Sequence, residues 1–278
     1  MRKNFAQILK SGKVDYKKEY EKLYDMLFVK IVGVDNGEKQ TLYDIFNKSF
    51  TAFRFHGTCL SLQEFDEKNG FAFPDPKEKE PELDDLILLM EYFYNLLEGF
   101  NSLEGDCFYR RFVNVYFFAH HIQELCDAIG YKVEHVDGFT VFLKNDAVVT
   151  AVAESEMIPD DLSYKLIMYD HHSMNLESKK AIILRLSHLL ESKRKKLDQL
   201  NPGLENSLFY AFNNFNLRHN NCDSSAATYK PVIAQMDEKE LGAWYDEIYQ
   251  MCLLAFMELE QAERKPRFDK IKAEIEAK

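Results

Sequence analysis

Leu83-Asp84-Asp85-Leu86-Ile87-Leu88-Leu89-Met90-Glu91-Tyr92-Phe93-Tyr94-Asn95-Leu96-Leu97-Glu98-Gly99-Phe100 is the clearest helix in the chain and the stretch from which its fold is read. Leu83, Leu86, Ile87, Met90, Phe93, Tyr94, Leu97 and Phe100 recur at three- and four-residue spacing, which lays one continuous apolar stripe along an α-helix. The acidic residues at its start complement the positive end of the helix dipole. So wide an apolar face must be covered, and the neighbouring sequence offers mostly further helices to cover it.

Toward the carboxyl side, Phe108, Phe112, Val115, Tyr116, Ile122, Leu125 and Ile129 predict a second helix from about Cys107 to Ile129, with Gly130 in the carboxyl-cap place. The two are expected to pack antiparallel. A single convincing β signal follows at Tyr131–Asn145, where alternation on either side of Asp137-Gly138 predicts a hairpin that must lean on the helices. Further helices are predicted at about Leu176–Leu200, Pro202–Leu217 and Asp237–Arg264, the last with a capping-box-like Asp237 and Glu240. Toward the amino side, Tyr16, Tyr20, Leu23, Tyr24 and Leu27, and then Leu42, Ile45, Phe46, Phe50 and Phe53, predict two short helices. Between them and Leu83 the charged run from Asp66 to Glu82, broken by Gly70, Pro74, Pro76 and Pro81, reads as an inter-module linker. The expected organisation is an amino-terminal helical module over 1–65, a linker over 66–82, and a helical bundle with a hairpin at 131–145 over 83–278. The fold class is mainly α, a helical bundle with one small β-hairpin.

The chain has 278 residues, 46% of them hydrophobic and 14% aromatic, which is too rich in core-forming side chains for a disordered protein. No run of about 18 uncharged apolar residues is present, and Met1–Lys22 is charged where a signal peptide would be apolar, so a soluble, cytoplasmic protein without membrane contact is expected. The five cysteines are odd in number and form no CxxC pair, which argues for reduced thiols. A net charge of −11 gives no general attraction to nucleic acid, so any such contact must come from a local basic patch.

Chemistry is most concentrated in Asn213-Asn214-Phe215-Asn216-Leu217-Arg218-His219-Asn220-Asn221, where five amides surround an Arg-His pair at the end of an apolar helix. Arg218 continues the buried stripe of Leu208, Ala211 and Phe215, and Asn214, Arg218 and Asn221 would form one row if the helix persists. An arginine donor for a phosphate beside a histidine able to move a proton is the minimum apparatus for metal-free RNA cleavage, with the 2′-hydroxyl as nucleophile. The plainer reading is that Arg218 and the amides bind the exposed carbonyls of a helix end and stitch it to the next loop. With Tyr169-Asp170-His171-His172 and the Lys179–Lys196 helix, this tract resembles the HEPN-type proteins of bacterial abortive-infection and toxin systems, small helical bundles whose signature is an Arg followed by His, often with Asn beside the Arg. In that family the two stand several residues apart, whereas here they are adjacent.

The resemblance implies a metal-independent endoribonuclease, or its inactive relative, in phage defence or as a toxin. It further implies an RNA substrate, a homodimer, and an antitoxin or defence-system partner. Arg218 would clamp phosphate and His219 would act as acid and base, with Asn214, Asn220, Asn221, Lys193 and Arg194 as binding residues. No cofactor and no metal are expected. Asp170, His171 and His172, with the tandem His120-His121, form a weaker metal-dependent alternative, since no third ligand at characteristic spacing accompanies them. His121 reads more simply as a satisfied core histidine, and Trp244 as a core residue of its helix. Arg110, Arg111, Tyr109 and Tyr116 are ambiguous between nucleic-acid contact and packing. The rival of a different class is a non-enzymatic helical interaction or regulatory module, in which the 213–221 tract is a structural clasp and the first 65 residues or the hairpin bind a partner.

Overall fold

The computed structural model describes residues 14–103, 111, 113–136 and 138–277, and these are mainly α-helical. The chain divides into two compact units, residues 1–145 and residues 146–278.

The first unit opens with α1 (Tyr16–Tyr24), capped by Asp15 and continued by a π-helical turn at Asp25–Val29. A short antiparallel ribbon follows, β1 (Gly33–Asp35) and β2 (Glu38–Gln40). It is additional to the expected hairpin. Its turn is Asn36-Gly37, with φ of +49° and +86°, the pair of left-handed conformations that Asn-Gly supplies most readily. Helix α2 (Leu42–Ser49) starts with a reciprocal capping box between Thr41 and Asp44, and α3 (Leu62–Asn69) ends at Gly70 in the left-handed conformation.

The Asp66–Glu82 stretch lies within this unit, and its first residues belong to α3. Phe71 and Phe73 pack against the core, the Asp66 carboxylate accepts from the Tyr43 and Tyr92 hydroxyls, and Tyr20 donates to the Pro74 carbonyl at 2.9 Å. Proline ends helices without preventing the aromatic residues around it from being buried. The separation between compact units falls at Asn145/Asp146 instead.

Helix α4 (Leu83–Asn101) is the spine of the first unit, burying Leu86, Leu89, Met90, Phe93, Leu97 and Phe100 among others. Helix α5 (Val115–Ala128) is capped by Asn114, and Gly130 beyond its end has φ +82°. The part of the expected second helix over 104–110, with Cys107, Tyr109 and Arg110, lies outside the described residues. The hairpin pairs β3 (Tyr131–Val136) with β4 (Phe139–Lys144) in the register Tyr131 to Lys144, Val136 to Phe139. It leans on α4 through polar bonds: Asn95 exchanges two hydrogen bonds with the Thr140 backbone at 2.8 and 2.9 Å, and Glu91 accepts from the Phe142 N–H. A lone hairpin is marginal in water, and these contacts supply what it lacks.

The second unit consists of α6 (Ala147–Ala153), α7 (Asp160–Ile167), α8 (Leu176–Leu200), α9 (Pro202–Asn214), the single turn α10 (Pro231–Ala234) and α11 (Glu238–Glu276). Asn201 lies between α8 and α9, where its side chain caps α9 and Pro202 takes the first helical position. The capping box of Asp237 with Glu240 starts α11. That helix runs beyond the expected Arg264, past Pro266, to Glu276. Leu186, Leu190, Leu208, Phe212, Ile248, Cys252 and Phe256 form the centre of this unit. No helix of the described residues is long and apolar enough to cross a membrane.

Candidate functional site

Helix α9 ends at Asn214, so the expected row of Asn214, Arg218 and Asn221 on a continuing helix does not form. Asn216 instead takes φ +54°, a left-handed turn that Asn tolerates, and the chain folds back on itself. The Arg218 backbone N–H then donates to the Phe212 carbonyl at 3.0 Å, which occupies one of the orphan acceptors at the helix end. Asn214 Nδ2 does the same for the Tyr210 carbonyl at 2.8 Å.

This turn delivers the Arg218 side chain to α8. Its Nη1 lies 2.7 Å from Glu191 Oε2, Nη2 donates to the Ser187 carbonyl at 3.0 Å, and Nε donates to Ser187 Oγ at 3.3 Å. The guanidinium carbon sits 5.0 Å from the ring centre of Phe212 and 5.5 Å from that of Phe209. The Arg194 guanidinium lies 4.3 Å from the same Phe209 ring and is paired with the largely buried Glu205. Two arginines therefore share one aromatic ring, each with its own carboxylate. Ser187, Glu191 and Arg194 stand at i, i+4 and i+7 on α8, the spacing that keeps them on one face.

Asn221 is fully buried and organises the loop. Its Oδ1 accepts the Asn216 N–H at 2.8 Å, its Nδ2 donates to the Thr228 carbonyl at 2.7 Å, and its own carbonyl accepts the Lys230 N–H at 2.8 Å. Asn220 is exposed, and its side chain reaches Asp223 at 3.4 Å. His219 is exposed, one residue beyond the clasped arginine. Lys193 precedes Arg194 on α8 but is off the face carrying Ser187, Glu191 and Arg194. Its neighbour Lys196 pairs with Glu263 at 3.1 Å, and Lys179 pairs with Asp246 at 2.7 Å while lying 4.9 Å from the Tyr169 ring centre. Of the expected site residues, the fold gathers Arg218 and Arg194 around Phe209 and assigns Asn214 and Asn221 to backbone carbonyls and amides.

The remaining candidates are dispersed. Asp170, His171 and His172 occupy the connection between α7 and α8, where His171 Nδ1 lies 2.7 Å from Ser173 Oγ. His121 is partly exposed, with Nε2 3.9 Å from Glu19, and is not a core residue; His120 stacks on the exposed Tyr116. Trp244 is 44% exposed and covers Phe215 at 5.0 Å between ring centres, so it roofs the turn after α9 and is not buried in the core.

Sequence reasoning missed the surface beside the arginine. A groove of about 650 Å³ between α7 and α8 is walled by Leu162, Met168, Met174 and Leu184, with exposed Lys165, Arg185 and His188 along it. It adjoins a shallow hollow lined by Leu184, His188, Glu191, Leu217 and Arg218. Arg185, His188 and Glu191 recur at three-residue intervals on α8, away from the buried Leu186 and Leu190, and that periodicity was visible in the sequence. What it lacked was the loop that brings Leu217 and Arg218 alongside. No protein-family model, no curated protein and no solved structure matches this chain.

Proposed function

We propose that this chain is a non-enzymatic helical interaction or regulatory module, in which Arg218 and the amides around it form a structural clasp. The commitment of the guanidinium carries this reading: Nε, Nη1 and Nη2 all have partners on α8, one of them a carboxylate at 2.7 Å. A phosphate would have to displace an anion already in place and strip the Ser187 carbonyl of its donor. The groove between α7 and α8 is the recognition surface in this reading. Its methionine-rich apolar walls and exposed cations suit an amphipathic helix carrying acidic residues, laid in by its apolar face.

A second reading is supported by the exposure of His219 beside Arg218 and by the open hollow that Arg218 shares with His188. It is the HEPN-like, metal-independent endoribonuclease or its inactive relative, acting on RNA as a homodimer in a toxin or phage-defence setting. Here Arg218 exchanges Glu191 for a phosphate, and His219 moves the proton of the 2′-hydroxyl. Incubating purified protein with total RNA in the presence of chelator, alongside His219→Ala, separates the two. RNA left intact by both proteins is the outcome expected of the interaction module. Cleavage abolished by His219→Ala would overturn it in favour of the nuclease.

A further inference from the structure

Helix α11 carries two apolar faces, and the bundle covers one of them. Ile248, Cys252 and Leu259 are buried in the core of the second unit. From Leu254, steps of alternately three and four residues lead through Met257, Gln261 and Arg264 to Phe268, Ile271 and Ile275. At about 100° per residue, Phe268 lies half a turn round the helix from Leu259, so this second stripe is not a continuation of the core face. Leu254 is 48% exposed, Phe268 67%, Ile271 49% and Ile275 68%.

Every residue from Glu263 to Ala277 is exposed, so this extension of the helix gains little from burial. Pro266 also removes one of its backbone hydrogen bonds. Isolated helices shorter than about 12–15 residues are marginal in water, and the pairs Arg264–Glu260 and Lys272–Glu276 along the helix surface offset this only slightly. Large apolar side chains repeating with a seven-residue period are what a second helix covers, by inserting its own side chains between them. Pro266 is two residues from both Arg264 and Phe268, which sets it on the far side from the stripe and out of such a partner's way.

The charges beside the stripe select a second copy of the chain and its direction. In a parallel pair Arg264 would meet the partner's Arg264 within the seam, and Arg267 would meet the partner's Lys272. In an antiparallel pair with Phe268 against the partner's Ile271, Arg264 lies against the partner's Ile275, to which it offers an apolar stem while Glu260 holds its head group at 2.5 Å. Arg267 then stands beside the partner's Glu274, twice by symmetry, and neither of these residues has an ion-pair partner of its own among the described residues. The other flank sets Lys265 beside the partner's Lys272, whose charge is offset by Glu276 at 3.7 Å. We propose that two copies of this chain associate through this stripe as an antiparallel helix pair over residues 264–275. The nuclease reading calls for a homodimer and assigns it no surface; the seam follows from α11 alone and stands whichever reading holds.

The full chain is followed by sedimentation equilibrium from about 1 μM to 1 mM, because so short a seam belongs with small, weak interfaces. A shift from monomer to dimer across that range is expected. Ile271→Asp, at an exposed position, should weaken association at least roughly tenfold while leaving the melting temperature near that of the parent protein. Arg267→Glu should weaken it several-fold, and Arg267→Glu combined with Glu274→Arg should restore it, since the exchanged charges meet again across an antiparallel seam. Lys265→Glu should tighten it by turning a repulsion with the partner's Lys272 into an attraction. A chain that stays monomeric throughout the range would overturn the proposal and leave the stripe to a different partner. So would a dimer indifferent to Ile271→Asp, or one tightened by Arg267→Glu, the mark of a parallel pair.

Discussion

Replacing Arg218 by Ala tests the clasp most directly, because its losses can be added up from contacts within one unit. The substitution removes two hydrogen bonds to Ser187, worth about 0.5–1.5 kcal/mol each net of solvation. It removes an ion pair whose carboxylate partner, Glu191, is half exposed, and which therefore contributes about 0–1 kcal/mol. Loss of the guanidinium contacts with Phe209 and Phe212 costs about 0.5–1 kcal/mol more. The sum is about 1.5–5 kcal/mol, which for a unit of this size corresponds to a melting temperature lowered by about 5–20 °C. The chain has a single tryptophan, Trp244, and it lies in this unit against Phe215, so its fluorescence during heating or urea titration reports on the unit that matters. His219→Ala, at an exposed neighbour, should change stability by no more than about 0.5 kcal/mol. A shift below about 2 °C for Arg218→Ala, or one matched by His219→Ala, would refute the clasp.

Asn221→Ala should destabilise the second unit by about 2–4 kcal/mol, because it removes a fully buried amide and orphans the partly buried Asn216 N–H and Thr228 carbonyl that it holds; limited proteolysis should then cut between residues 216 and 230, and an unchanged digestion pattern would count against the assignment. Gly99→Ala would set a methyl group 2.8 Å from Phe55 Cε1 and 3.1 Å from Phe53 Cγ, so urea unfolding of the first unit should show a loss of about 1–3 kcal/mol. The Asp66 carboxyl is held above its ordinary 3.8, chiefly because burial penalises the charged form. The folded state then binds more protons than the unfolded one between 3.8 and the raised value, so stability falls as pH rises through that window. Measured against Asp66→Asn, the difference in unfolding free energy should change there and be flat above it; a difference that does not vary with pH would contradict this burial.

Local order was legible in the sequence wherever neighbours along the chain decide it. The stripe from Leu83 to Phe100 became α4, Asp237 and Glu240 cap α11, and the alternation around Asp137-Gly138 became the β3–β4 hairpin. Asn36-Gly37 carried an equally direct turn signal, but its flanking strands are three residues each and show too little alternation to stand out. Periodicity and capping act over one or two turns, and a sequence displays them openly. Tertiary structure alone decided what the longer-range groups do. Phe71 and Phe73 sit among prolines and charges, yet the first unit folds round them because aromatic area is worth burying wherever the chain can return it to the core. Arg218 is likewise legible as an arginine near a helix end. Whether its guanidinium faces solvent or an anion depends on Ser187 and Glu191 across the α8–α9 turn, and on Asn216 bending the backbone toward them. Such partners come together only when the chain folds back on itself, which no local pattern specifies.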